Sequence, residues 1–295
     1  MARVPAPALR QGLDPARLQA LIDEHLRLAR TAADDTRLPL EIADKVVGSV
    51  LPDDARLLAD AVPGLLLADD CLAVLPQCAS DGDPVLAAMA RVLREAGRAH
   101  RWRNELLPVC ADDGTWMGSI ERACVRTLGI RTFAVHLVGE ADAGNDDYAC
   151  WLQRRAAHKD TDPGCLDNLA SGLVGLADDA RGIEPLREAV LREAAEEAGL
   201  AAGELLGLQA VGTWRMSGPV PEGHLVEDVS VFSAQLAPDA TPRIVDGEVS
   251  EFLRLSGTEL LTRIRARELT PGAAVAAMQC VQRWQQAQPG RANRG

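Results

Sequence analysis

The sequence predicts an α/β protein: a small N-terminal α/β module over residues 1–127, followed by a larger α/β domain over 128–295. Two patterns carry that expectation. Segments with apolar residues at helical spacing, such as Val85, Met89, Val92 and Leu93, alternate with short apolar runs bounded by polar turns, such as 64–68 and 71–75. The composition, 47% apolar and 25% charged over 295 residues, is that of a soluble chain able to bury a core in one large domain or two smaller ones. No internal repeat or low-complexity linker interrupts the alternation.

Residues 1 to about 12 are rich in Pro and Ala and are expected to fray. Asp14-Pro15 then reads as an N-cap followed by Pro at the first helical position. It opens a helix with Leu18, Leu21, Ile22 and Leu26 on one face. Further helices are predicted at 39–50, 53–61 and 84–99. A strand is predicted over 101–110, then a turn at Asp112-Asp113-Gly114, then a helix over 118–128 (Ile120, Ala123, Cys124, Leu128) ending at Gly129. A strand from Ile130 to Val138 carries His136, a position that is structural or functional. A turn at Asp146-Asp147 leads into a strand from Tyr148 to Gln153, and Pro163-Gly164 makes another turn. Beyond residue 200, Leu208 to Trp214 and Glu227 to Gln235 read as strands separated by a Pro/Gly loop from Gly218 to Gly223. The turn at Asp246-Gly247 precedes another strand, and helices near 257–267 and 271–286 close the chain before a disordered tail.

The net charge is -12 and the isoelectric point near 4.9, which argues against a nucleic-acid-binding surface, since that needs a basic stripe. The seven cysteines are scattered without a C-x-x-C pair, so neither a zinc site nor a disulfide framework is indicated, and most are expected to be buried in a reducing compartment. No apolar run of about 18 residues and no signal-peptide core appear, so the expectation is a cytoplasmic protein without a membrane segment, monomeric or homodimeric.

Chemistry concentrates between Gly172 and Leu200. There Glu184 is followed, after seven residues, by Arg192-Glu193-Ala194-Ala195-Glu196-Glu197-Ala198-Gly199-Leu200. On a helix Glu193, Glu196 and Glu197 fall within an arc of roughly 100°, while Leu191, Ala194 and Ala198 point towards a core. Gly199 suits a left-handed helix end. Like charges four residues apart repel, and a hard divalent cation such as Mg2+ reverses that, because it favours carboxylates plus substrate phosphates. The alternative is a solvated face on which Arg192 pairs with Glu196.

These residues resemble the Nudix signature, Gly-x5-Glu-x7-Arg-Glu-(apolar)-x-Glu-Glu-x-Gly-(apolar). Every position from Glu184 onwards matches, whereas the opening glycine is replaced by Asp178, the nearest glycines being Gly172 and Gly175. The resemblance extends over roughly 100–285 and is strongest to a subfamily related to the Nudix half of fungal thiamine pyrophosphokinases. Its landmarks are Trp102 to Glu105, Glu121 to Ala123, Gly129-Ile130, His136, Trp151 to Arg155, Pro163 to Asn168, Ser171-Gly172 and Asp246 to Val249. The resemblance implies an α/β/α sandwich around a mixed sheet and metal-dependent hydrolysis of a diphosphate. Arg192 would orient the carboxylates, and Glu193, Glu196 and Glu197 would bind Mg2+ or Mn2+. Glu196 is a candidate for proton transfer; Glu248 would be a metal ligand or a general base, with Glu251 the weaker substitute, or else a turn residue stabilising Asp246-Gly247. Arg154, Arg155 and Lys159 would neutralise the diphosphate, or else are surface charge. Trp214, with Trp151 and Asp228, is a candidate for gripping the organic moiety. The implied small-molecule substrate is thiamine diphosphate or its damaged oxo and oxy analogues. ADP-ribose, NADH or a nucleotide sugar is the alternative, and a non-catalytic ligand sensor the other.

Overall fold

Asp14 starts the first helix, α1 (Pro15–Leu28), by accepting hydrogen bonds from the main-chain N–H groups of Ala16 and Arg17, with Pro15 at the first helical position. The computed structural model describes residues 14–31, 35–78, 82–142, 148–159, 161–177, 182–245 and 247–287. The Asp146-Asp147 turn, the tail after 288, Asp178 and Asp246 lie outside the described residues.

The N-terminal module is a four-stranded sheet, β2-β1-β4-β3, built from β1 (Leu38–Ile42), β2 (Lys45–Val50), β3 (Leu65–Leu67) and β4 (Leu72–Val74). Helices α2 (Pro52–Ala61) and α3 (Asp83–Glu95) pack with it, burying Leu58, Leu86, Met89 and Leu93 beside Leu40, Ile42 and Leu72. A separate hairpin, β5 (Leu106–Cys110) with β6 (Trp116–Glu121), completes this core.

Several expectations fail here for identifiable reasons. Residues 39–50 form the β1–β2 hairpin rather than a helix. Its turn residues Ala43 and Asp44 both take positive φ (51° and 58°), the requirement of a two-residue hairpin turn, met without the Asn-Gly pair that advertises one. Residues 118–128 are not a helix either: β6 runs to Glu121, and only a 3-10 turn (Arg122–Cys124) follows. Ile120 is in a strand while Cys124 and Leu128 lie in turns, so their helical spacing is coincidental. The strand predicted from 101 starts only at Leu106.

The larger domain is built on a seven-stranded mixed sheet. Its main path is β11 (Leu205–Val220), β12 (Gly223–Leu236), β7 (Thr132–Asp142), β8 (Tyr148–Arg155) and β13 (Val249–Ser256), with β12 and β7 parallel. The segment formed by β9 (Leu166–Asn168) and β10 (Ala170–Leu173) changes partner at Leu169, from β8 to β7. Helix α4 (Leu186–Ala198) covers one face, burying Ala189, Val190, Ala194 and Ala198 against Val135, Leu137 and Phe232. The other face carries α5 (Gly257–Arg265) and α6 (Pro271–Gln286), and α1 shares their core through Leu18 and Ile22. The outcome is an α/β/α sandwich with a mixed sheet.

Residues 218–223 do not form the expected loop. β11 and β12 continue to a tight turn at Pro221-Glu222, and the hairpin tip reaches the turn after β6, where His224 N–H donates to the Arg126 carbonyl at 2.8 Å. All seven cysteines are free, and Cys110, Cys124, Cys150 and Cys280 are buried. Among the described residues no helix is long and apolar enough to cross a membrane.

The hairpin correction has a test in which the two structures give opposite signs. Replacing Ala43-Asp44 by Asn-Gly removes two strained left-handed conformations, and the double variant is expected to raise the unfolding free energy by about 1 kcal/mol in urea titration. Within a helix the same glycine would lower it by a similar amount.

Candidate active site

Helix α4 begins at Leu186 and ends where Gly199 takes φ 62°, its N–H bonding back to the Ala194 and Ala195 carbonyls. Because α4 lies flat on the sheet through its alanines, Glu193 and Glu197 are drawn inward. They are 8% and 4% exposed, while Glu196 faces solvent. Two carboxylates cannot be buried this way without partners.

Arg192 supplies one set. Its Nε and Nη2 clamp Glu184 at 3.1 and 2.9 Å, and Nη1 reaches Glu193 at 2.7 Å and Glu196 at 3.3 Å. Nη2 also donates to the Leu173 carbonyl at 3.1 Å. The five donors of the guanidinium are thereby all used. Burial pushes the Glu184 carboxyl up, but hydrogen bonds from Arg192 and from Gly175 N–H outweigh it and hold the group below the usual carboxylate range.

Glu197 finds a different partner set. Its Oε2 accepts Ser171 N–H from β10 and Gln153 Nε2 from β8, both at 2.8 Å, so it bridges the place where the β9–β10 segment changes sides. Burial dominates and pushes its carboxyl up to about 8; the Ser171 and Gln153 hydrogen bonds oppose this, and Asp167 and Glu193 add repulsion. Burial likewise raises Glu193 against the pull of Arg192.

The remaining candidates divide. Strand alternation puts Gln153 and Arg155 on the α4 side, and Arg155 Nη1 donates to Asp167 at 2.9 Å. Asp167, 3% exposed, lies close enough to repel Glu197. Lys159 forms an ion pair with Glu248, whose main-chain carbonyl accepts Ala156 N–H at 2.8 Å. Arg154 is turned to Glu251 (2.5 Å) and the Gly164 carbonyl. Trp214 is not brought to the carboxylates: it is 5% exposed in the core with α1 and α6, across the sheet from α4. Trp151 packs against the α4-side core, and Asp228 is held by Arg215 at 2.6 and 3.0 Å. His136 is tied to Asn168 at 2.8 Å and packs under Gly272 of α6. Gln153 and Asp167 were not singled out by the sequence. The signal that could have found them is the period-two alternation from Arg155 and the Leu-Asp-Asn landmark.

The carboxylates suit a hard cation. The donors are all oxygen, and the burial that makes Glu193 and Glu197 costly as free anions is offset by a positive ion between them. Gly172 opposes Glu193 on β10, and a methyl group there would overlap the Glu193 carboxylate, so the strand leaves that group its space. Among the described residues no three His, Cys, Asp or Glu side chains converge tightly enough to hold a metal by themselves. Mg2+ does not need such a cage, since it retains waters and takes one or two carboxylates plus phosphate oxygens.

No protein-family model matches the chain. Among curated proteins it is similar to Nudix hydrolase 24, chloroplastic, of Arabidopsis thaliana, 28% identical over 61% of this chain and 48% of that protein. It is also similar to Nudix hydrolase 20, chloroplastic, of the same plant, 29% identical over 61% and 47%. An uncharacterized protein of Saccharomyces cerevisiae is 29% identical over 59% and 53%. Among solved structures, DR0079 from Deinococcus radiodurans is 24% identical with a TM-score of 0.45, over 61% of this chain and 98% of that one. The chain spans about half the length of the curated relatives it matches. Both plant relatives are Nudix hydrolases by name, and each match covers 61% of this chain.

Two substitutions test this geometry. Arg192→Lys keeps the charge but loses the fork, leaving Glu184 or Glu193 unpaired; unfolding free energy should fall by about 3 kcal/mol in urea titration. Gly172→Ala fits an extended strand and displaces only the end of Glu193. It should lower the melting temperature without metal, as Arg192→Lys does, and abolish the rise produced by MgCl2 in the parent protein.

Proposed function

We propose that this chain is a metal-dependent hydrolase of a diphosphate linkage, and that its substrate is thiamine diphosphate or the damaged oxo and oxy analogues, cleaved to the monophosphate and phosphate. The observation that carries the reaction class is the pair of buried carboxylates on α4, Glu193 and Glu197, held beside an arginine whose donors are fully committed. The substrate class rests on the resemblance to thiamine-pyrophosphokinase-linked Nudix domains over Trp151 to Arg155 and Pro163 to Asn168.

Glu193 and Glu197 would hold Mg2+ or Mn2+, with Glu196 adjacent. When bound, the ion supplies polarisation of a phosphoryl oxygen and a more acidic water. Glu196 would accept the water's proton, a role supported by its exposure and by its bond to Arg192, at 3.3 Å the longest of the set. Glu248 is less suited to that role, because the ion pair with Lys159 occupies its carboxylate and lowers its affinity for a proton. Asp167 orients the Arg155 guanidinium, the group of this pair that would attract an anionic substrate.

The reading is tested by phosphate release with Mg2+ from thiamine diphosphate, its oxo and oxy analogues, ADP-ribose and NADH, following nucleotide products for the last two. Thiamine compounds should turn over, and Glu196→Gln should lower kcat by about 10²–10⁴-fold. Cleavage of the dinucleotides alone would retain the chemistry and discard the substrate. Ligand binding without turnover of any compound would make the chain a sensor.

A further inference from the structure

Gln153, on β8, is 1% exposed and carries a carboxamide whose two ends both need partners. Its Nε2 donates to Glu197 Oε2 at 2.8 Å. Its buried Oε1 has no hydrogen-bond partner among the described residues. A buried acceptor left empty costs about 1–3 kcal/mol, so this atom calls for a donor that the chain does not itself supply.

Turning the amide over does not remove the demand. Glu197 Oε2 already accepts Ser171 N–H at 2.8 Å, and in the ionised form that holds a cation Glu197 only accepts, so the Gln153 oxygen would face another acceptor. The neighbouring strand offers no donor either. Asp167 stands opposite Gln153 on β9, and its carboxylate is taken up by Asn168 N–H at 2.8 Å and Arg155 Nη1 at 2.9 Å. Arg155 Nε is turned to the Thr161 carbonyl at 3.0 Å.

Glu197 is arranged in a complementary way. Both of its donors reach Oε2, and its Oε1 receives none among the described residues. The nitrogen and oxygen of a planar carboxamide are about 2.2 Å apart, which puts Gln153 Oε1 within about 5 Å of Glu197 Oε2. The Glu193 carboxylate comes to the next residue along β10: a methyl group at Gly172 would overlap it, while Ser171 N–H is bound to Glu197. Two carboxylates and a carboxamide oxygen therefore gather in one small region, and all of them are acceptors. A hydrated divalent cation brings what that region lacks. Its charge answers the carboxylates, and the waters it retains carry O–H donors for the amide.

We propose that Gln153 is a positioning residue of the cation site: Nε2 turns Glu197 so that its Oε1 is left for the ion, and Gln153 Oε1 accepts a hydrogen bond from a water of the hydrated ion. The proposal deepens the metal-dependent hydrolase reading and rests on it for the presence of a cation. A neutral amide suits this place, because it recognises the ion's hydration without adding a further buried charge.

The test is calorimetric titration of the full chain with MnCl2 alone, for the parent protein and for Gln153→Met, which keeps the length of the side chain and removes both polar ends. Groups that hold metal ligands in place from behind typically contribute 10- to 100-fold in affinity, and Gln153→Met should weaken Mn2+ binding by about that factor. Melting of the metal-free proteins accompanies the titration. A glutamine that only supports the fold would lower the melting temperature when replaced and leave Mn2+ affinity unchanged. Crystals of the parent protein grown with MnCl2 give a second reading that needs no variant: a water bound to manganese should lie within about 3.2 Å of Gln153 Oε1. Unchanged Mn2+ affinity in Gln153→Met would overturn the role of Gln153 even in a protein that hydrolyses diphosphates. So would an Oε1 that touches manganese directly, or that bonds only to protein or to a water away from the ion. A parent protein that binds no Mn2+ would remove the cation site and this role with it. Weakened Mn2+ binding and the bridging water, in a protein that hydrolyses nothing, would keep the role of Gln153 and remove the hydrolase reading.

Discussion

The guanidinium of Arg192 is the constraint on which the site depends. Glu184, Glu193 and Glu196 would repel one another across a small space, and Glu193 is buried as well. One arginine answers all three carboxylates and the Leu173 carbonyl with its five donors, which a lysine, with three donors on a point charge, cannot reproduce. Because Leu173 belongs to β10 and Glu184 to the stretch before α4, the same side chain fixes the approach of strand, loop and helix. Arg192 is 35% exposed and Glu196 56%, so removing the arginine costs at most the lower end of the about 3–5 kcal/mol of a fully buried pair.

The sheet supplies the second half of the arrangement. The change of partner at Leu169 frees the outer edge of β10 so that Ser171 N–H can meet Glu197, while Gln153 reaches the same oxygen from β8. Glu197 is thus held by neutral donors and Glu193 by a cation, and burial raises the carboxyl of both. Two of the contacts that fasten the N-terminal module to this framework lie on β11 and β12. The tip of the β11–β12 hairpin bonds to the turn at Arg126. Asp112, in the loop after β5, joins Arg215 at 3.1 Å, and Arg215 in turn holds Asp228, which Arg131 also contacts.

The acidic helix was legible in the sequence because its spacing is a direct image of helix geometry, and the C-terminal Gly199 sits in the left-handed turn its position requires. The α1 start at Asp14-Pro15 and the closing helices were readable for the same reason: caps and period leave local marks. The β1–β2 hairpin was not, because Ala43 and Asp44 carry none of the glycine that usually marks positive φ. The strand at 116–121 was hidden by apolar residues that happen to recur at helical spacing across a strand and two turns. Trp214 shows a different limit. Its type suggested a ligand contact, but which face of the sheet a strand residue takes is settled by what packs there, here α1 and α6. The ion pairs of Lys159 with Glu248 and of Arg155 with Asp167 join residues far apart in sequence or across a turn, and no local pattern announces them.

The central claim is that the Glu193–Glu197 face of α4 binds a divalent cation. Anomalous scattering from crystals grown with Mn2+ and inorganic pyrophosphate tests it most directly. The account requires a manganese peak within about 2.5 Å of carboxylate oxygens of both Glu193 and Glu197, the distance of direct oxygen coordination. Manganese bound elsewhere in a crystal of active protein, with those two carboxylates bare, would contradict it.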